Sequence, residues 1–383
     1  MRILILTPRL PWPPIDGGRI AMARLAEGLV RAGAEVEILS LNPRKHRVAA
    51  VPPIRTQAID IDTSRIFAPA FARGIPFLVA RFVSDEFRAA LATTLRRFAP
   101  DVVQIESPFL LPCVDVVRSE SNTRVVLRSL NVEFRIWQGL ARTERNRLRR
   151  IALQWIASSL RRYEIRQFAA VDAIIPISID DANDFRALGA TKPMHVVPCG
   201  VTVSESTSTP IPSSVGFIGS LDFIPNQQAV EWIVEELWPR VVDRVPEARL
   251  SIAGSSAPEW LRRRMGNIDF RGAVDDATAF MKTMSVMIAP LFAGGGMRIK
   301  VLEAMALAKP IVATTLGAGG LDVEHGRDIL IADDVPSFAD AIALLLRDEN
   351  VATQIGEAAR ETVRNRYDND VLAHGLLTFY ETL

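Results

Sequence analysis

Residues that staple or metallate a protein are scarce in this chain, with two cysteines and four histidines among 383 residues. Cys113 and Cys199 stand far apart and away from any histidine, so they read as core fillers in a reducing compartment; neither a disulfide framework nor a zinc site is indicated. His46, His195, His325 and His374 share no metal-binding spacing, and no nucleophile triad can be drawn. An excess of either charge is also missing. Lys plus Arg total 45 against 44 for Asp plus Glu, which leaves no global attraction to nucleic acid, and none is expected as a partner. The apolar stretch from Ile75 to Val83 is cut by Pro76 and Arg81, and no run approaches the ~18 residues needed to span a bilayer. The opening Met-Arg-Ile-Leu-Ile-Leu-Thr-Pro reaches Pro8 before a signal peptide's core can form, so a cytoplasmic protein is expected. The fingerprint Gly-x-Gly-x-x-Gly does not follow the first strand-like run, which argues against a dinucleotide oxidoreductase.

What is present is apolar and regularly spaced. Hydrophobic residues make up 49% of the chain, enough to fill the two or more cores that its length implies. Strand-like runs begin at Ile3, Val36, Val102, Val125 and Ala173, and again at Val215, Leu250, Val286, Ile311 and Ile329, with helix-like segments between them. Apolar strands alternating with amphipathic helices predict an α/β protein with parallel sheets covered on both faces. Residues 201–214, rich in Ser, Thr and Pro, read as a linker between a first domain, 1–200, and a second, 215–366. Two open α/β domains joined in this way are expected to leave a cleft at the carboxyl ends of their strands. The last residues look helical, with a break near Tyr367 to Asn369.

The most informative stretch is Gly-Gly-Gly-Met-Arg-Ile-Lys-Val-Leu-Glu, from Gly294 to Glu303. It follows the buried strand-like run Val286 to Leu291 and leads into a predicted helix from Ile299 to Ala308. Amides of a glycine turn at a helix start point at anions, and Gly294, Gly295, Gly296 and Met297 allow close approach. Arg298 and Lys300 add the charge that a diphosphate requires. Glu303, about one helical turn further on, is spaced to accept hydrogen bonds from a pair of hydroxyls. Phosphate followed by ribose describes a nucleotide.

These residues also carry a resemblance. Pro-Trp-Pro-Pro-Ile-Asp-Gly-Gly from Pro11 to Gly18, Asn-Val-Glu from Asn131 to Glu133, Val-Pro-Cys-Gly-Val from Val197 to Val201, Phe-Ile-Gly-Ser-Leu from Phe217 to Leu221, Pro225-Asn226, and Met297 to Met305 together resemble the family-four glycosyltransferases of the GT-B fold, in particular the bacterial polysaccharide-type sugar transferases. The resemblance implies two Rossmann-like doubly wound domains facing across a cleft, the first holding the acceptor and the second the donor. It implies a closing helix, 367–383, packed back on the first domain. It implies transfer with retention of configuration, without metal or cofactor, from a UDP- or GDP-sugar to a glycan or lipid-linked acceptor in cell-envelope or exopolysaccharide assembly. Arg298 and Lys300 would stabilise the leaving diphosphate. Gly17, Gly18, Gly219, Ser220, Asn226 and the turn Gly294 to Met297 would line the donor site, with Glu303 on the ribose. Asn131 and Glu133 would contact acceptor or sugar; for Glu133 a structural role stands as the alternative, and for Gly219-Ser220 an ordinary turn.

Two positions depart from the family pattern. Gly295 stands where the first glutamate of Glu-x7-Glu belongs, and Leu130 where relatives often have a histidine. They motivate two rival readings, an inert nucleotide-binding relative and, more distantly, a nucleotide-sugar epimerase, for which no acid and base pair is evident. Asp60-Ile61-Asp62 spells a metal-binding triplet of another fold but reads here as a surface or turn pair after the strand-like Thr56 to Ile59. Arg142 to Arg166 reads as one basic helix bearing Ile151, Trp155, Ile156 and Leu160. Either it lies peripherally on an anionic membrane, or it faces the core with a solvated basic side.

Overall fold

Ile3, Leu4, Ile5 and Leu6 are all buried, and their strand shows why the first half of the chain folds as it does. Leu4 and Leu6 pack with Val103 and Ile105 on one face, while Ile3 and Ile5 pack with Val102 and Val126 on the other. Strands apolar on both faces need helices on both, the condition of a parallel sheet. The computed structural model describes residues 1–48, 51–64, 75–144, 146–203, 209–266, 268–293 and 297–383. Strands β1 (Arg2–Thr7), β2 (Glu35–Pro43), β3 (Thr56–Ile61), β4 (Val102–Ile105), β5 (Arg124–Ser129) and β6 (Ala173–Pro176) form a parallel sheet in the order β3-β2-β1-β4-β5-β6.

The second half repeats this plan with β7 (Ser214–Ile218), β8 (Arg249–Ala253), β9 (Asp269–Gly272), β10 (Val286–Ala289), β11 (Ile311–Ala313) and β12 (Leu330–Ile331). Their order, β12-β11-β10-β7-β8-β9, has the same topology strand for strand. Winding reverses between β1 and β4 in one sheet and between β7 and β10 in the other. The α/β class and the paired Rossmann-like sheets read from the sequence are what the structure has.

The chain divides into two units, Met1–Gly200 with Asn369–Leu383, and Val201–Asp368. In the first, the helix Asn369–Glu381 packs along the helix Gly17–Arg31. Asn369 donates to the Arg24 carbonyl, Arg31 Nε to Asp370 at 2.7 Å, and the Tyr380 hydroxyl to Gln104 Oε1 at 2.5 Å. Gly28 permits this packing, since a Cβ there would lie 2.8 Å from the Asn369 amide. Cys113 and Cys199 are buried and share no disulfide, and burial pushes the Cys113 thiol up to about 12.

Three details differ from the sequence reading. The Arg142 to Arg166 segment is not one helix: the chain forms Glu133–Thr143, breaks, and restarts as Arg147–Gln167. Asn146 causes the restart, its side chain accepting from Arg149 N at 3.1 Å while its own N–H donates to Glu144 Oε1 at 2.7 Å. The helix expected to reach Ala308 is Ile299–Ala306, because Ala308 turns left-handed at φ 55° and its neighbours close the end, Lys309 N donating to Ala304 O at 3.0 Å. Asp60 lies within β3, where it accepts from Asn42 Nδ2 at 3.1 Å and pairs with Arg47 at 2.7 Å.

Candidate functional site

In a doubly wound sheet the loops on either side of the reversal diverge to opposite faces and open a crevice at the carboxyl edge. In the second unit these are the loops after β7 and β10, and they carry the residues singled out from the sequence. Gly219 follows β7 directly, its N–H donating to Ala253 O at 3.0 Å. Ser220 Oγ donates to Asp222 at 2.7 Å and lies 3.0 Å from Ser255 Oγ. Asn226, in the first turn of the helix Ile224–Trp232, ties the loop down by donating Nδ2 to Ser220 O at 2.8 Å.

Across the reversal, Met297 and Arg298 lead into the helix Ile299–Ala306. Gly294, Gly295 and Gly296 lie outside the described residues. Arg298 donates Nε to Leu316 O at 3.4 Å, and desolvation holds its guanidinium below the usual arginine range. Lys300 donates Nζ to Glu303 Oε2 at 2.7 Å, so one oxygen of the carboxylate assigned to ribose is engaged by the cation assigned to phosphate. A strip of charge, positive at its entry and neutralised by the pair one turn later, thus lies along the start of the helix Ile299–Ala306.

Sequence reading missed the residues that set the distances between these loops. A Cβ on Gly254, after β8, would lie 2.2 Å from the Gly219 carbonyl, and one on Gly317, after β11, 2.0 Å from the Ala289 carbonyl. Thr314 links the same loops, donating Oγ to Leu291 O at 2.6 Å and accepting from Gly317 N at 2.9 Å. Small residues at strand ends, Gly254-Ser255 and Thr314 to Gly317, were the available signal. Gly254→Ala is expected to push the Gly219-Ser220 loop outward, costing about 1–3 kcal/mol of stability. Urea denaturation measures the loss, and an unchanged midpoint would refute the contact.

In the first unit, Gly17 and Gly18 form the first turn of the helix Gly17–Arg31, capped by Asp16, which accepts from Arg19 N at 3.1 Å. Asp16 also pairs with Arg9 at 2.8 Å, and a Cβ on Gly18 would meet that guanidinium at 2.5 Å. After β5, the Asn131 carbonyl accepts from Ser129 Oγ at 2.6 Å. Glu133 begins the helix Glu133–Thr143, whose N-terminus is capped from a distance: the buried Glu164 carboxylate accepts from Glu133 N at 3.0 Å and Phe134 N at 3.2 Å. Below this edge Arg128, fully buried, donates to Glu106 at 2.9 Å, and Gln104 donates to the same carboxylate.

Desolvation pushes the Glu164 carboxyl up to about 7, against the opposing pull of its two backbone donors, and raises Glu133 as well. Between about 4.5, the unfolded value, and about 7, the folded chain holds a proton that the unfolded chain has shed. Stability is therefore expected to fall as pH rises through that window and to level off above it. Denaturation at stepped pH checks this. Glu164→Gln should flatten the slope, and an unchanged slope would refute the assignment.

Residues 15–205 match the family described as Glycosyltransferase Family 4, and residues 212–348 the family described as Glycosyl transferases group 1. The chain belongs to these glycosyltransferase families. This glycosyltransferase is similar to a phosphatidyl-myo-inositol mannosyltransferase of Mycobacterium leprae, 32% identical over 202 residues, a match that spans 49% of this chain and about half, 53%, of that one. It is 22% identical over 384 residues to an uncharacterized 44.6 kDa protein in the cps region of Klebsiella pneumoniae, covering 96% of this chain and 97% of that one. Among solved structures, Anabaena HepE in complex with UDP covers 100% of both chains with TM-score 0.70 at 14% identity, a likeness of fold. The glycosyltransferase has the GT-B architecture that its motifs implied. No helix among its described residues is long and apolar enough to cross a membrane.

Proposed function

We propose that this glycosyltransferase moves a hexose-type sugar from a nucleoside diphosphate sugar to a glycan or lipid-linked acceptor, in cell-envelope or exopolysaccharide assembly, with retention of anomeric configuration. The second unit holds the donor and the first unit the acceptor. The observation that carries the reading is Arg298, a desolvated guanidinium at the entry of the helix Ile299–Ala306, which follows β10, the strand paired with the β7 that delivers Gly219 and Ser220. The bond from the anomeric carbon to the β-phosphate oxygen breaks, and the departing diphosphate gains negative charge. Arg298 and the helix N-terminus stabilise that charge. The acceptor hydroxyl bonds to the anomeric carbon, and its proton passes to the departing phosphate oxygen. Lys300, held on Glu303 at 2.7 Å, turns to the phosphate when ribose hydroxyls take its place on the carboxylate.

The name of the M. leprae relative supports a lipid-borne acceptor, and the UDP in HepE supports a uridine donor, with GDP-sugars as the other arm of the test. A thermal-shift screen against UDP, GDP and ADP selects the base, since a ligand bound only by the folded form raises apparent stability. Release of that nucleoside diphosphate from its sugars, with acceptor lipids and glycans present, then measures turnover. Binding without release across all pairs would favour the inert relative that Gly295 and Leu130 motivate.

A further inference from the structure

The hairpin of helices Glu133–Thr143 and Arg147–Gln167 carries apolar side chains where a soluble surface has no use for them. In the second helix Ala157, Leu160 and Tyr163 face the core and are buried. Leu148, Ile151 and Trp155, spaced by three and four residues, lie on one stripe turned away from that face and are 79%, 60% and 60% exposed. Ile136 and Leu140, one turn apart on the first helix, are 43% and 49% exposed. Arginine surrounds the stripe: Arg142, Arg147 and Arg149 are exposed and have no acidic partner among the described residues, and Arg162 continues the stripe two turns beyond Trp155. Glu144 is the one acidic residue between Gly139 and Arg162, and its carboxylate is engaged by the Asn146 N–H at 2.7 Å.

We infer that this hairpin docks on an anionic lipid bilayer, with Leu148, Ile151 and Trp155 in the headgroup and acyl boundary and the arginines on lipid phosphates. Charge complementarity selects this occupant. A second copy would bring two arginine clusters together, and nucleic acid would leave the aliphatic stripe in water, whereas an anionic bilayer satisfies both features at once. The inference goes beyond the transfer reading, because docking needs neither donor nor acceptor. It gives a chain with no membrane-spanning helix among its described residues a way to meet an acceptor that remains in the lipid.

The test is vesicle flotation of the full chain, without nucleotide, on phosphatidylcholine with and without phosphatidylglycerol. Binding is expected on the anionic vesicles and should weaken with added salt. The triple variant Leu148→Ser, Ile151→Ser, Trp155→Ser should lower partitioning at least about tenfold, as should Arg147→Gln with Arg149→Gln and Arg150→Gln. All six positions sit on the outward part of the hairpin, so the variants are expected to keep the parent melting temperature. Serine variants that bind as tightly as the parent would overturn the proposal. So would equal binding to both vesicle types, a dimer in solution that covers Trp155, or tighter binding to single-stranded RNA than to lipid. Because no donor is present, these outcomes are independent of whether transfer is found.

Discussion

Arg298→Ala is expected to lower the rate of nucleoside diphosphate release by about a hundred- to a thousandfold, the usual loss when one donor to a developing oxyanion is removed. The guanidinium is partly desolvated, which places its charge in a medium where it acts strongly on a neighbouring anion and is little screened by salt. Charge on the diphosphate grows as the glycosidic bond breaks, so the loss should appear in kcat more than in KM. Arg298→Lys should recover only part of the rate, because an ammonium lacks the planar fork that grips two phosphate oxygens. Lys300→Ala also frees the Glu303 carboxylate from its 2.7 Å partner, so its effect should divide between binding and turnover. Steady-state kinetics with the donor chosen by thermal shift decides the matter. Unchanged turnover in Arg298→Ala would remove the chemical core of the proposed function.

The second large effect concerns stability. Arg128→Ala should destabilise the first unit by about 3–5 kcal/mol, because it strands the Glu106 carboxylate where water does not reach. Both partners are buried, and the arginine's Nε and one terminal nitrogen find no acceptor among the described residues, so the pair is poorly compensated as it stands. Two further outcomes follow from that imbalance. Glu106→Gln alone should also destabilise, leaving a buried guanidinium without its counter-charge. The double variant Arg128→Met, Glu106→Gln should regain most of the loss, since removing both charges also removes both desolvation penalties. Urea denaturation followed by tryptophan fluorescence measures each variant. A loss below about 1 kcal/mol for Arg128→Ala would show that the carboxylate finds other support.

The two sheets were legible because their central strands are apolar on both faces. Ile3 to Leu6 and Val286 to Ala289 could hardly be anything but buried strands between helices. The edge strands were harder. In β9, Asp269 and Arg271 alternate outward, and the strand was not read at all; in β3, Thr56, Ala58 and Asp60 alternate away from the face of Ile59 and Ile61, and its end was read as a surface or turn pair, of which the surface half holds for the exposed Asp60. The candidate site divides the same way. Arg298, Lys300 and Glu303 are local in sequence and could be seen together, whereas Gly254 beneath Gly219 and Leu316 against Arg298 are contacts between loops that only the sheet order makes adjacent. Glu164 capping a helix 31 residues upstream has no sequence signature. The end of the helix at Thr143 and the restart at Arg147 were hidden because the capping residue, Asn146, sits in a run of arginines whose helix propensity is high.

Because residues 369–383 belong with residues 1–200, the first unit is the last to be finished as the chain is made. Until the helix Asn369–Glu381 emerges, the groove destined for Ala373, Leu376 and Tyr380 stays open, and the Gln104 side chain lacks its tyrosine partner. The intervening unit has by then been synthesised in full and can fold on its own schedule, as domains generally do during translation. An interruption anywhere after residue 200 should therefore leave a half-built first unit with an exposed apolar seam, a natural target for chaperones and proteases.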